Sequence, residues 1–368
     1  MKNPLPNESY LKRTLEKDAP IRGHYFRDQT AIIHSMPFRR LKHKTQVFFA
    51  PENDHVCTRI EHVMHVATIA KSICLGLNQY EWELDTDLAF AIGLGHDLGH
   101  APFGHEGEYF LNKRLGGGNS FVHEVNSYRI IEHLANNGKG LNLTYGVKDG
   151  IIAHNGESFE QHLVPDDDMK NLELISNRKI RPSSFEGCIV RFSDKIAYLG
   201  RDIEDAITAN FITRNELPAE VKEKIGANNS QIIDNLVHDI INSSRFDDKI
   251  GFSDDVFPTL LLLKDFNYKY IYHNTKNERN KIIAGKIIYA LFDYLLILFE
   301  KYERDYAAYQ KQSLKLEKAF GQYLETMHNF YLNETNPEII VTDYIAGMTD
   351  SYAIDCMAQI SFPSTYFR

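Results

Sequence analysis

The segment from His96 to Glu108 restricts this chain more than any other. Within thirteen residues it holds three histidines, one aspartate and two glutamates, interrupted by glycines. Imidazole nitrogen and carboxylate oxygen bind the same divalent cations. Neighbouring side chains on a regular helix point about 100° apart and do not converge easily on one ion, whereas glycine lets the backbone turn between them. The segment therefore predicts a metal centre at a turn; the alternative is a polar helix end with chance histidines.

The composition predicts a protein with a sizeable core and an acidic surface. The chain has 368 residues, 43% of them hydrophobic, and a formal net charge of -9. Because that surface does not attract a polyanion, a phosphate-bearing ligand needs a local cluster of Arg and Lys. Four dispersed cysteines favour a reducing compartment. No apolar signal segment is visible, and the longest apolar run, Tyr289–Phe299, is short and contains Asp293. We expect a soluble cytoplasmic protein without membrane association.

Apolar residues recur at helical spacing, and no strand alternation persists. The run from Val56 to Ile73 is apolar on most faces, as is typical of a buried helix. Further helices are predicted at Thr86–Gly95, Gly107–Leu115, Phe121–Asn136, Phe185–Thr208, Ser230–Asn242, Thr259–Ile271, Glu278–Tyr306, Leu314–Tyr331 and Val341–Ile360, with Pro337 between the last two. Gly116–Ser120 and Gly156–Ser184 are predicted to be mobile loops. The pattern predicts an all-α fold.

Two more polar residues, His62 and Asp194, lie inside apolar helical patterns. Burying an unpaired imidazole or carboxylate is costly. For Asp194 alone, a salt bridge to Arg191 or Lys195 would suffice. One mononuclear centre explains both residues together with the central segment, and its predicted ligands are His62, His96, Asp97 and Asp194. This mixed set suits Mn²⁺, Fe²⁺, Co²⁺, Ni²⁺ or Zn²⁺, and Mg²⁺ less well.

Several short sequence motifs, here called blocks, follow one another along the chain in a specific order. They read R-x-x-H from Arg59, H-D-x-G-H-x-P-F-G-H-x-G-E from His96, F-x-H-E-x-N-S from Phe121 and R-F-x-D-K-I-A-Y from Arg191. Together with Phe38–Phe48 and Asp343–Asp350, they resemble the HD-domain superfamily and, within it, the deoxyguanosine triphosphate triphosphohydrolase family. The likeness spans residues 25–355. We predict an HD-domain catalytic core at 20–215, an N-terminal segment at 1–19 and a helical C-terminal extension at 216–368.

The resemblance also implies an acid–base group around the leaving oxygen and the water. Its members are His100, His105, Glu108 and His123. We expect His105 to be the general acid, with His123, in partnership with Glu108, as the next candidate. His105 and Glu108 are spaced i,i+3 and share a face if the segment is helical. The alternatives are an exposed helix start for His123 and a bond to a backbone carbonyl for His100.

A substrate-contact set follows from the same resemblance. Tyr198, Asp202 and Gln46 are expected to surround the deoxyribose, with Tyr198 excluding a 2′-hydroxyl. Arg59 and Lys195 are the candidate triphosphate clamps. Core packing for the tyrosine and salt bridging for the two cations are the alternatives.

Two further features stay open. A basic patch could contact phosphates, a regulatory nucleotide or a neighbouring subunit, whereas no recognised motif supports nucleic-acid binding. The patch comprises Arg39, Arg40, Lys42 and Lys44. Other HD-domain phosphohydrolases use extra histidines for a second metal, which makes His154 an alternative ligand.

The predicted function is metal-dependent cleavage of a deoxynucleoside triphosphate (dNTP) at the α-phosphorus, giving deoxynucleoside and inorganic triphosphate. The cofactor is one divalent ion per site, with Mn²⁺ preferred. The resemblance implies a homo-oligomer, a tetramer or hexamer, and allosteric activation by a nucleotide. The alternatives are another HD-domain phosphohydrolase, such as a nucleotidase or cyclic-nucleotide phosphodiesterase, and a nucleotide-sensing or nucleic-acid-binding protein with a residual site. The sequence does not specify the base, the native ion or the subunit count.

Overall fold

The computed structural model describes residues 1–18, 20–46, 57–118, 120–155 and 159–362. In these residues the fold is all-α, as predicted, with one small antiparallel ladder of two strands, β1 (His162–Leu163) and β2 (Ile250–Gly251). Some sequence predictions fall outside the described residues: Val47 and Phe48 of the first block, Val56, Asn119, and 156–158 at the start of the second predicted loop.

The helices follow one another along the chain. The first half contains α1 (Asn7–Leu11), α2 (His24–Ile33), α3 (Met36–Arg40), α4 (Arg59–Leu77), α5 (Thr86–Gly95), α6 (Gly104–Arg114), α7 (His123–Arg129), α8 (Ala135–Gly138), α9 (Tyr145–Ile152) and α10 (Phe185–Thr208). The second half contains α11 (Ala219–Lys224), α12 (Asn229–Ser244), α13 (Val256–Asn267), α14 (Thr275–Tyr302), α15 (Tyr306–Gln310), α16 (Lys315–Thr326), α17 (Pro337–Ala346) and α18 (Asp350–Ser361). Two π-helical turns, Ile130–Leu134 and Tyr268–Tyr272, follow α7 and α13.

The predicted bounds of α5 and α10 agree with the structure. The helix predicted at Val341–Ile360 is instead two helices, because Thr349 caps the second by accepting a hydrogen bond from the backbone N–H of Tyr352. The helix predicted from Phe121 begins at His123 and gives way to a π turn after Arg129. The helix predicted to end at Tyr331 ends at Thr326.

Two large hydrophobic clusters and one small one hold the described helices together. In the first, α4 packs against α5 and α10, and Val63, Val66 and Ile73 of α4 are fully buried. In the second, α14 packs against α17, α18 and α6. The first cluster runs from Tyr25 to Ile271 and the second from Ala101 to Cys356, so both draw on the two sides of the predicted boundary at residue 215. That boundary stays a prediction.

By length and composition, two helical segments could cross a membrane, which is weak evidence because core helices pass the same test. The first, Arg59–Leu77, has half of its apolar window buried in the fold. The second, Glu278–Tyr302, has a mean hydropathy of 2.0 and 44% of its window buried.

Candidate metal centre and substrate cavity

Three helices of the first cluster bring the predicted ligands together. His62 lies in the first turn of α4, His96 and Asp97 follow the last residue of α5, and Asp194 lies in α10. The turn after α5 requires glycine at position 99, since a Cβ there would lie 2.2 Å from the backbone nitrogen of Ser127. This close approach places the start of α7 beside the end of α5.

The four side chains converge as the sequence predicts. His62 Nε2 lies 3.0 Å from Asp194 Oδ1, and His96 Nε2 lies 3.8 Å from the same oxygen. His96 Nε2 also lies 3.5 Å from Asp97 Oδ1. All four residues are buried. The salt bridge considered for Asp194 does not form with Arg191, which instead donates to Ile180 and Glu160.

The donor set fits a divalent cation. His96 Nδ1 lies 2.8 Å from the carbonyl oxygen of Gly93, which makes this nitrogen the donor and leaves the lone pair on Nε2. That buried Nε2 has no hydrogen-bond partner among the described residues. Burial opposes charge on Asp194, yet the hydrogen bond from His62 and the nearby imidazoles hold its pKa below the usual value. Neutral imidazole nitrogens and ionised carboxylates are what a metal centre requires.

The predicted acid–base residues form a second cluster beside the first. The Glu108 carboxylate lies 2.8 Å from His123 Nδ1 and 3.6 Å from His105 Nδ1. The His100 ring stacks on the His123 ring at 3.8 Å, and His100 Nε2 lies 3.2 Å from Asp97 Oδ1. Although burial opposes its charge, the carboxylates of Glu124 and Glu108 raise the pKa of His123 to about 9. His105 is the most exposed member, with 54% of its side chain accessible.

Two residues outside the predicted acid–base set join it. Arg178, in the second predicted loop, donates hydrogen bonds to Glu108 and Glu124. His154 Nε2 lies 3.1 Å from His123 Nε2, while its Nδ1 lies 2.7 Å from the Ile151 carbonyl. The sequence offered no signal for Arg178, because a loop cation has no periodicity that would tie it to a distant helix.

Arg59 and Lys195, the predicted clamps, differ in position. Arg59 lines the cavity and donates to Asp97 Oδ2 at 2.6 Å. Lys195 is buried beside the ring of Phe192 and lies 3.6 Å from Glu160. Lys195 does not line the cavity, because its position on α10 is rotated by about 100° from that of Asp194. Its triphosphate contact stays a prediction.

A cavity of about 410 Å³ runs from the metal ligands to the predicted sugar contacts. Gln46, Tyr198 and Asp202 all line it. Its outer end is built by the chain between α13 and α14, where the Tyr272 hydroxyl donates to Asp202 Oδ2 at 2.6 Å. Burial raises the pKa of Asp202 to about 7 against the effect of this hydrogen bond. Tyr272 is a further site residue that the sequence did not reveal.

The chain is similar in sequence to known proteins. The HD domain matches residues 59–199, and a phosphohydrolase-associated domain matches residues 250–359. A deoxyguanosinetriphosphate triphosphohydrolase-like protein of Caldanaerobacter subterraneus subsp. tengcongensis is 37% identical, over 98% of this chain and 91% of its own. The chain belongs to the deoxyguanosinetriphosphate triphosphohydrolase-like family. Relatives of that name in Desulfatibacillum aliphaticivorans and Clostridium tetani are 35% and 36% identical, each over 95% of this chain and over 90% and 88% of their own.

Membership of the triphosphohydrolase-like family makes this chain an HD-domain phosphohydrolase. The matched HD segment contains all four predicted ligands, and HD domains bind divalent metals. The matched associated segment contains Tyr272 and all of α14, which contribute to the outer cavity wall. The two matched segments therefore meet at the cavity.

Proposed function

We propose that this protein is a metal-dependent dNTP triphosphohydrolase. One observation carries the proposal: His62, Asp97 and Asp194 line the same cavity as Gln46, Tyr198 and Asp202, and α10 supplies residues to both groups. Asp194, Tyr198 and Asp202 are four residues apart on this helix, so Tyr198 and Asp202 lie about one and two turns beyond the ligand. Such an arrangement suits a ligand with a phosphate at one end and a sugar hydroxyl at the other.

The reaction is hydrolysis at the α-phosphorus. Water attacks this phosphorus, the bond to the 5′-oxygen breaks, and the products are a deoxynucleoside and inorganic triphosphate. A divalent ion held by the four ligands supplies the Lewis acidity that such a transfer requires. We propose Mn²⁺ as that ion, with Mg²⁺, Fe²⁺, Co²⁺, Ni²⁺ and Zn²⁺ as alternatives.

In this proposal the histidine cluster handles the proton transfers of the hydrolysis. His105 is the accessible imidazole of the cluster and, in this proposal, donates a proton to the departing 5′-oxygen. His123 is held in place by Glu108 through its Nδ1, and Arg178 fixes that carboxylate from the other side. The Nε2 atom of His123 lies 3.1 Å from His154 Nε2 and 4.0 Å from Asp97 Oδ1. His100 packs between Asp97 and His123 and fixes the spacing of the two clusters.

The far end of the cavity selects the sugar. In the proposed complex, Asp202 accepts a hydrogen bond from the 3′-hydroxyl, and Gln46 lies on the same lining. The Tyr198 ring leaves no room for a 2′-hydroxyl. The Tyr272 hydroxyl orients Asp202 and supports its ionised form.

Cations at the cavity wall bind the triphosphate. The planar guanidinium of Arg59 suits phosphate oxygens, although one of its nitrogens already donates a hydrogen bond to Asp97. Lys281 of α14 also lines the cavity and lies 3.5 Å from Glu106, a pair that an incoming polyanion can open. Lys281 therefore takes the place that the sequence assigned to Lys195.

The proposal also covers the assembly, regulation and location of the protein. We propose a homo-oligomer, a nucleotide effector and a cytoplasmic location. The basic patch of Arg39, Arg40 and Lys42 is exposed and suits phosphate groups. Lys44 is buried and donates to the carbonyl oxygens of His100 and Ala346, so it belongs to the interior.

Product analysis tests the proposal. The full chain is incubated with each dNTP and with all four together, across a panel of divalent ions. Deoxynucleoside and inorganic triphosphate in equal amounts are the expected products. Pyrophosphate or single phosphate would instead identify another HD-domain phosphohydrolase, and untouched substrates in every mixture would favour a nucleotide-sensing protein with a residual site.

A further inference from the structure

Two of the sequence blocks meet beside the histidine cluster. Thr45 belongs to the block Phe38–Phe48, and Asp350 ends the block Asp343–Asp350. Asp350 is buried, and its Oδ2 accepts hydrogen bonds from the backbone N–H of Thr45, at 2.8 Å, and from the Thr45 hydroxyl. Its Oδ1 accepts from the backbone N–H of Phe103 at 2.8 Å. One carboxylate therefore joins two segments that lie far apart in the sequence.

The backbone at Phe103 adopts a conformation that is rare for a bulky residue. Its φ is 67° and its ψ is 19°, which is the left-handed region that favours glycine. Gly104 follows with a φ of 61°. A strained backbone of this kind persists only where the surrounding contacts impose it. The hydrogen bond from the Phe103 N–H to Asp350 is such a contact.

The two segments that Asp350 joins both lead directly to residues of the cavity. Phe103 is the residue immediately before α6, so its backbone sets the direction of the first helical turn. His105, the proposed proton donor, is the second residue of α6 and lines the cavity. On the other side, Gln46 follows Thr45 and also lines the cavity. A change at Asp350 therefore reaches both walls through the backbone.

A second polar bridge lies beside the first. The buried Lys44 ammonium donates to the carbonyl oxygen of His100, and to that of Ala346 at 2.9 Å. His100 begins the turn that leads to α6, and Ala346 is the last residue of α17. The turn from His100 to Phe103 is thus held at both ends by the segment from Ala346 to Asp350, once through Lys44 and once directly.

A carboxylate is well suited to the position of Asp350. Both of its oxygens accept hydrogen bonds, and its three donors are two backbone N–H groups and a hydroxyl. Asp350 is also the first residue of α18, where the helix dipole favours a negative charge. An amide in the same place would accept with one oxygen only and would direct its NH2 group at a donor.

We propose that Asp350 is a positioning residue for the reaction. Through Phe103 it fixes the first turn of α6, and with it the place of His105 against the departing 5′-oxygen. Through Thr45 it fixes Gln46 at the sugar end of the cavity. Asp350 does not itself line the cavity, so it acts through these residues. The inference rests on the proposed function, in which His105 donates the proton.

A double-mutant cycle tests whether Asp350 acts through His105. Asp350→Asn is made in the unmodified chain and in the His105→Ala variant, and rates are measured on a dNTP that the unmodified chain hydrolyses. Asp350→Asn should lower kcat about 10- to 100-fold in the unmodified chain, because a displaced proton donor loses most of its effect. In the His105→Ala background the loss should be less than about threefold. Equal losses in the two backgrounds would mean a purely structural role and would overturn the proposal.

The matched control for this cycle is Asp355→Asn, which makes the same change at an exposed position of the same helix. It should leave kcat unchanged. Metal content should stay the same in all variants except those of the four ligands, because Asp350 contacts none of them. Loss of metal in Asp350→Asn would contradict a role that is confined to His105 and Gln46.

Hydrogen exchange read by mass spectrometry provides a measurement that needs no substrate. Asp350→Asn leaves one backbone N–H without its acceptor, so the peptides that contain Thr45 and Phe103 should exchange faster, whereas those of α12 should not change. Thr45→Val removes the hydroxyl donor at similar volume and should slow turnover and speed exchange in the same peptides. Thr45→Ser keeps the hydroxyl and should restore both. These two variants carry the test if Asp350→Asn does not fold.

The outcomes separate this inference from the proposed function. Other products, or no turnover of any dNTP, would contradict the proposed function, and the exchange measurement would still decide whether Asp350 holds the turn. Hydrolysis of a dNTP with unchanged exchange around Phe103, or with equal losses in the cycle, would overturn only the inference.

Discussion

The two ends of the cavity are built in different ways. At the inner end, His62, His96 and Asp194 come from helices of one hydrophobic cluster and are buried. At the outer end, Tyr198 and Asp202 meet Tyr272 from the chain that links α13 to α14. A rigid packed core holds the groups that must coordinate an ion, whereas a π-helical turn, a form frequent at functional sites, shapes the end that selects the substrate.

Removing a ligand at the inner end should have the largest effect. Asp194→Ala leaves His62 and His96 without their shared carboxylate, so we expect loss of bound metal and a fall in turnover of about 10⁴-fold or more. Metal content by mass spectrometry and initial rates measure this. Glu204→Ala, on the same helix but paired with Arg214, is the control. Unchanged metal content would remove Asp194 from the centre.

A substitution in the histidine cluster should lower turnover without changing the bound metal content. His105→Ala removes the proposed proton donor, which typically costs about 10²–10⁴-fold in rate. Metal content and dNTP binding should stay near those of the unmodified chain. His238→Ala, on the exposed surface of α12, is the comparison variant. Near-normal turnover would exclude His105 as the general acid.

A change at the outer end should alter selectivity more than metal binding. Tyr198→Ala opens space beside the sugar, so ribonucleotides should be accepted about tenfold better relative to deoxyribonucleotides. The ratio of kcat/KM for dGTP and GTP measures this. Tyr270→Ala, in the same π turn as Tyr272, is the control. An unchanged ratio would contradict the steric role of Tyr198.

The smallest expected effect is a displaced pH profile. The hydrogen bond from Tyr272 favours the ionised form of Asp202, whose pKa is about 7. Tyr272→Phe removes that donor, so the pKa of Asp202 should rise further, by about one unit. Activity that needs the carboxylate is present above this pKa and is lost as the pH falls through it, so the acidic limb of kcat/KM should move to higher pH. If the acidic limb of the pH profile stays in place, or if Tyr270→Phe moves it equally, Tyr272 does not set the pKa of Asp202.

The candidate ligands of the inner end could be chosen from the sequence because their signals are local. The motif at His96 and Asp97 combines ligands with a glycine that the α7 contact requires, and His62 and Asp194 are polar residues in apolar helices. The same logic placed Lys195 beside Asp194, but neighbouring positions on a helix are rotated by about 100°, and Lys195 does not line the cavity.

The outer end could not be predicted from local signals. Tyr272 reaches Asp202 across 70 residues of sequence, and Arg178 reaches Glu108 from a loop. No periodicity connects such pairs, because they form only when separate helices pack. The break between α17 and α18 was missed for a different reason: a cap at Thr349 interrupts an otherwise continuous apolar pattern.

The most direct test of the account follows the oxygen of water. The full chain is supplied with Mn²⁺ and a dNTP mixture in ¹⁸O-labelled water, and the products are read by ³¹P NMR and mass spectrometry. Attack at the α-phosphorus predicts one ¹⁸O atom in inorganic triphosphate and none in the deoxynucleoside. Label in the deoxynucleoside, or release of pyrophosphate with a nucleoside monophosphate, would contradict it.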